Sequence, residues 1–181
     1  SAASDVYKRQ MLKHGLISNT AHWAELLNFN TSDIDYTALK QLVGRSVQVK
    51  EDIVEQDPFE HGIRKALNLG HTVGHAFESM ALAENRPVLH GYAVAWGIVC
   101  ELYLSHLKVG FPKEKMRQTI QFIKDNYGVF TFDCKKYEQL YAFMTHDKKN
   151  TSGTINFTLL KDIGDIRINP VSYTHLTLPT T

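Results

Sequence analysis

Between Thr37 and Gln56, apolar residues recur at Leu39, Leu42, Val43, Val47, Ile53 and Val54. That is the spacing of one helical face, and it predicts an amphipathic helix of about five turns. Lys50 lies on the same stripe. An unpaired ammonium facing a core is costly, and the alternative is a packed stem with its amine in water. Asp57 and Pro58 end the helix, since proline disfavours helical geometry at the residue before it. After the short loop PFEHG the pattern turns helical again through LNLGHTVGHAFE, residues 67 to 78. The run YAVAWGIVCELYLSHL that follows is apolar around nearly its whole circumference, which predicts a central, buried helix. Met116, Ile120, Ile123 and Tyr127 predict a further core-packing helix, and so do Tyr137, Leu140, Tyr141 and Met144. Only near the end does the period change to two. Ile155, Phe157 and Leu159 alternate, as do Ile166 and Ile168 past Asp162 to Gly164, and this predicts a hairpin. The expected fold is therefore mainly α: a multi-helix domain with a small C-terminal β-hairpin.

Chemistry concentrates in LNLGHTVGHAFE. A helix that accepts two glycines, each costing up to about 1 kcal/mol against alanine, needs a reason. One reason is close approach of a neighbouring helix; the other is a ligand site. On a continuous helical wheel Arg64, Asn68, His71, His75 and Glu78 share a stripe about 80° wide. Solvated stripes are ordinarily Lys and Glu, so this composition suits the wall of a polar pocket. His71 and His75 are four apart, close enough for one metal ion, or for one ligand and one acid–base group. Thr72 stands where the HExxH metalloprotease pattern needs glutamate, which removes the best argument for peptide hydrolysis. His90, just ahead of the apolar run, is a third candidate ligand on a rigid element. It could equally satisfy free backbone groups at a helix start. Lys148 and Lys149 sit in a turn-rich loop and matter only if they reach the same pocket.

Composition changes this picture little. The chain has 181 residues, 43% of them hydrophobic, and a formal charge of +1. This bounds one compact domain, with neither the footprint of a nucleic-acid binder nor a membrane span. Cys100 and Cys134 lack CxxC spacing, and a reducing cytoplasm suits them. No apolar leader opens the chain.

The stretch RKALNLGHTVGHAFE, with MLKHG and VKEDIVEQDPFEHGIR upstream, VLHGYAVAWG after it and DKKN near the end, resembles the C-terminal helical domain of the 3-dehydroquinate synthases. The resemblance spans about residues 11 to 169. It implies the C-terminal half of a two-domain fold shared with iron- and zinc-dependent alcohol and polyol dehydrogenases, its NAD-binding N-terminal domain lying outside this chain. It also implies a homodimeric, cytoplasmic enzyme. The implied reaction turns 3-deoxy-arabino-heptulosonate 7-phosphate into 3-dehydroquinate and phosphate. Its steps are transient oxidation by NAD, elimination, reduction and intramolecular aldol closure.

By the same resemblance His71 and His90 are ligands of Zn2+, with Co2+ an alternative, and His75 lies beside the metal in a proton-transfer role. Lys13, Lys50, Arg64, Asn68 and one of Lys148 or Lys149 bind the phosphorylated sugar acid. The family's third metal ligand is a glutamate at the position of Gln10. Residues 1–10 and 170–181 resemble translated sequencing-adaptor tails, so Gln10 is expected to replace a natural glutamate. The rivals are another sugar-phosphate cyclase, a non-catalytic helical module, which would leave Lys50 unpaired, and a metal-dependent polyol dehydrogenase, which would have no use for so many cations.

Overall fold

The computed structural model describes residues 2–30, 32–146 and 155–168, with the side chains of residues 2–7 and 134 left aside. Its helices are α1 (Ala2–Ser18), α2 (Thr20–Leu27), α3 (Tyr36–Gln56), α4 (His71–Ala83), α5 (His90–Val109), α6 (Lys113–Tyr127) and α7 (Tyr137–Thr145). Two 3-10 segments, Ile63–Asn68 and Cys134–Lys136, join them, and β1 (Thr158–Asp162) and β2 (Asp165–Ile168) follow. The helices are those the apolar periodicity predicts, with α1 and α2 added ahead of them. Among the described residues no helix is long and apolar enough to cross a membrane.

Two apolar clusters share α5. One gathers Leu12, Leu16, Trp23, Leu42, Ile98 and Leu102; the other gathers Val73, Phe77, Met80, Ala93, Leu140 and Leu159. Trp96 of α5 packs against both. The strands pair antiparallel, Thr158 with Ile168 and Leu160 with Ile166, around the turn Ile163–Gly164, where Gly164 has φ +77°. Thr158, Leu159 and Leu160 are all buried, so β1 is covered on both faces instead of alternating. The reason is position: β1 lies against α5, and Leu160 N–H donates to the buried Ser105 hydroxyl at 3.0 Å.

Three expectations are corrected. First, Arg64 to Glu78 is not one helix. The chain is 3-10 through Asn68, breaks at Leu69, turns at Gly70 with φ +83°, and becomes α-helical only at His71. Second, the apolar face of α3 is two adjacent lines. Leu42, Ser46 and Ile53 are buried, whereas Val43, Val47, Lys50 and Val54 line an open cleft of about 500 Å³ facing Gln10, Met11 and His14 of α1. Third, Lys50 is consequently exposed and not part of the core.

Candidate metal centre

The N-terminus of α4 is built by glycines. Gly70 adopts a left-handed conformation and has no side chain with which to cap the helix. A Cβ on Gly74 would stand 2.9 Å from the Val94 Cα, and one on Gly97 2.7 Å from the Gly74 nitrogen, so α4 and α5 meet backbone to backbone. The cap comes from across this contact. Glu101 of α5, fully buried, accepts from Gly70 N–H at 2.6 Å and Val73 N–H at 3.2 Å. Burial pushes its carboxyl up to about 8, against the opposing pull of those donors. Sequence reasoning passed over Glu101, whose signal is a lone acid in an otherwise apolar helix.

This crossing brings the histidines together. His71, His75 and Glu78 fall along one face of α4, and His90 opens α5 opposite them. Ring centroids are separated by 5.5 Å for His71–His75, 5.5 Å for His71–His90 and 5.8 Å for His75–His90. Imidazoles binding one ion at about 2.0–2.1 Å in tetrahedral geometry would have centroids roughly 5 Å apart, so the spacing fits a shared divalent cation. Imidazole and carboxylate donors suit zinc or cobalt. Ligand atoms of His75, Glu78 and His90 lie within 4.8 Å of one another, a group that His71 does not join in spite of its ring's nearness. Glu78 was read only as part of the polar stripe, yet its Oε2 is 3.0 Å from His90 Nδ1. His71 Nδ1–H points at the Leu69 carbonyl, 3.3 Å away. Burial, then the charge of Lys13, lowers His71 to about 3, which keeps the ring neutral as a metal ligand requires.

The cations divide. Lys13 is buried on α1 and donates to the Leu67 carbonyl at 2.8 Å, within electrostatic reach of His71. Lys50 lines the α1–α3 cleft beside Gln10, which is itself exposed. Arg64 donates to the Pro58 carbonyl at 2.6 Å, and Asn68 donates to Glu60 at 2.7 Å, so both are held by the loop after α3. Lys148 and Lys149 lie outside the described residues.

Fold and imidazole cluster together define a class, a helical domain with a histidine cluster at the crossing of two helices. Over 95% of this chain and 48% of the other, the backbone follows 2-epi-5-epi-valiolone synthase ValA from Streptomyces hygroscopicus subsp. jinggangensis 5008, solved with NAD+ and Zn2+ bound, at TM-score 0.72 and 18% identity. It also follows 2-deoxy-scyllo-inosose synthase complexed with carbaglucose-6-phosphate, NAD+ and Co2+, at TM-score 0.63 and 19% identity over 90% of this chain and 45% of that one.

Within that class the chain belongs to the family described as 3-dehydroquinate synthase C-terminal, which matches residues 10–150. It is 58% identical over 160 residues to the 3-dehydroquinate synthase of Parabacteroides distasonis, covering 88% of this chain and 45% of that protein. The chain thus spans about half the length of the curated relatives it matches.

Proposed function

We propose that this chain is the metal- and substrate-binding half of a cytoplasmic 3-dehydroquinate synthase, acting on 3-deoxy-arabino-heptulosonate 7-phosphate. The observation that carries the reading is the convergence of His71, His75 and His90 at the α4–α5 crossing, in a chain belonging to that family. His71 and His90 would hold the ion, with a glutamate at position 10 completing the set. When bound, zinc or cobalt supplies Lewis acidity toward the substrate hydroxyls, and NAD, held mainly by the companion half, supplies a reversible hydride acceptor.

The chain's own residues do the rest. His75 moves a proton at the reacting carbon or the leaving phosphate. Lys13, Lys50, Arg64 and one of Lys148 or Lys149 neutralise the phosphate and carboxylate, and Asn68 orients the ring hydroxyls. Charge-assisted hydrogen bonds of this kind strengthen as the companion half excludes water. The side chains of Arg64 and Asn68 must then exchange the Pro58 and Glu60 partners for substrate oxygens.

We further assign residues 1–10 to a foreign tail. The support is the likeness of that stretch to translated adaptor sequence. Gln10 then replaces the ligand glutamate.

The test uses the protein joined to its NAD-binding half, with glutamate at position 10. Supplied with Zn2+, NAD+ and the heptulosonate phosphate, it should release one inorganic phosphate per dehydroquinate formed. Accumulation of NADH from a polyol, with no phosphate released, would establish the dehydrogenase rival instead.

A further inference from the structure

Glu78 has no part in the roles assigned above. We propose that Glu78 is a positioning residue of the metal centre: its carboxylate accepts the Nδ1–H of His90 and so leaves Nε2 of that ring as the atom offered to the ion. This rests on reading the imidazole cluster as a metal centre.

The geometry carries it in three ways. The Glu78–His90 contact, at 3.0 Å, joins the α4 face to the first residue of α5. His90 is otherwise poorly held: its side chain is 48% exposed, and Leu89 before it makes no side-chain cap. An untethered imidazole there would flip about its outer torsion and exchange Nδ1 with Nε2. The second ring, His71, is arranged the same way, with Nδ1–H on the Leu69 carbonyl at 3.3 Å. Two rings whose centroids are 5.5 Å apart therefore each give Nδ1 to an oxygen acceptor and keep the same lone pair free. A carboxylate or carbonyl behind a metal-bound histidine fixes its tautomer and raises its basicity.

Glu78 also stands close enough to His75 and His90 to be a ligand itself, and the experiment separates the two roles. The metal-free chain carrying glutamate at position 10 serves as the parent, and it and its Glu78→Gln and Glu78→Ala variants are each titrated with Co2+ and followed by visible d–d absorption. The tautomer of His90 is read by nitrogen–proton NMR at about pH 8, above the ordinary imidazole range. Glu78→Ala should weaken Co2+ binding about 10- to 100-fold, and Glu78→Gln, which keeps an acceptor oxygen, should recover part of that loss. At saturation the band should keep its position and intensity in all three, because the ion keeps its ligands. His90 should carry its proton on Nδ1 in the parent and as a mixture in Glu78→Ala.

A changed band in Glu78→Gln would make Glu78 a ligand and overturn the positioning role. So would unchanged affinity together with an unchanged tautomer. If the parent chain takes up no Co2+, the metal-centre reading fails, and the NMR tautomer alone still decides whether Glu78 orients the ring.

Discussion

His14 and His71 are kept neutral by the fold. Burial, with Lys13 adding repulsion, lowers His14 to about 4 and His71 to about 3, from an ordinary value of 6.5. His14 also feels His22 and Lys50, and its Nδ1 sits 2.6 Å from the Ser46 hydroxyl. Both folded values are depressed, so the unfolded chain binds more protons once pH drops below about 6.5, and stability falls from there towards the folded values. Glu101 runs the other way: with its carboxyl raised to about 8, its contribution is lost as pH climbs from the ordinary carboxylate value of 4.5. Comparing His14→Gln with the parent isolates one site. The urea midpoint of the parent should drop between about pH 7 and pH 5, and His14→Gln should lose less. An equal drop would remove His14 from the account.

Lys50 tests the same scale differently. Lys50→Met should leave the unfolding free energy within about 0.5 kcal/mol of the parent, as befits an exposed site; in the protein joined to its NAD-binding half, it should weaken binding of a phosphonate analogue of the substrate. A large stability gain would mean that the ammonium is buried after all. The convergence of His71, His75 and His90 was legible, because helical spacing and a motif carry it. The surroundings of Lys50 were not, since the face that α3 turns to the cleft is set by where α1 lies against it, which periodicity does not encode.

At the scale of elements, the α4–α5 crossing decides whether a centre exists. A Cβ at Gly97 would collide with the Gly70 carbonyl oxygen and stand 2.7 Å from the Gly74 nitrogen, both backbone atoms that cannot step aside. Gly97→Ala should therefore destabilise the chain by about 1–3 kcal/mol or more and weaken Co2+ binding by spreading His71 and His75 from His90. Urea unfolding and Co2+ titration of this one variant check both effects; parent-like stability would mean that the helices do not touch there. The choice posed in the sequence between glycines for packing and histidines for a ligand dissolves, because close backbone approach is what brings the rings together. The helix break at Gly70 escaped periodicity because the polar residues on either side of it remain in phase with a helix that is not there. Helix existence was legible from Thr37 onward from the apolar pattern, α1 and α2 having gone unread, whereas the double coverage of β1 required knowing that α5 lies on it.

For the whole molecule, the sharing of α5 between two apolar clusters makes them one cooperative unit. Trp23 reports the first cluster and Trp96 the junction, so Trp96→Phe and Trp23→Phe chains followed by fluorescence should unfold in urea with normalised transitions that superimpose on each other and on circular dichroism. Separated transitions would mean two independently melting units.

The hairpin adds a constraint in time. Gly164 N–H donates to the Leu16 carbonyl at 2.9 Å, and a Cβ on Gly164 would strike the carbonyl of Ser18. The seat for this turn is thus the C-terminal end of α1, and its occupant follows α7 along the chain. A nascent chain must hold that early berth open until β1 and β2 emerge; the interval before they arrive is when a growing copy is most exposed to chaperones and to its neighbours.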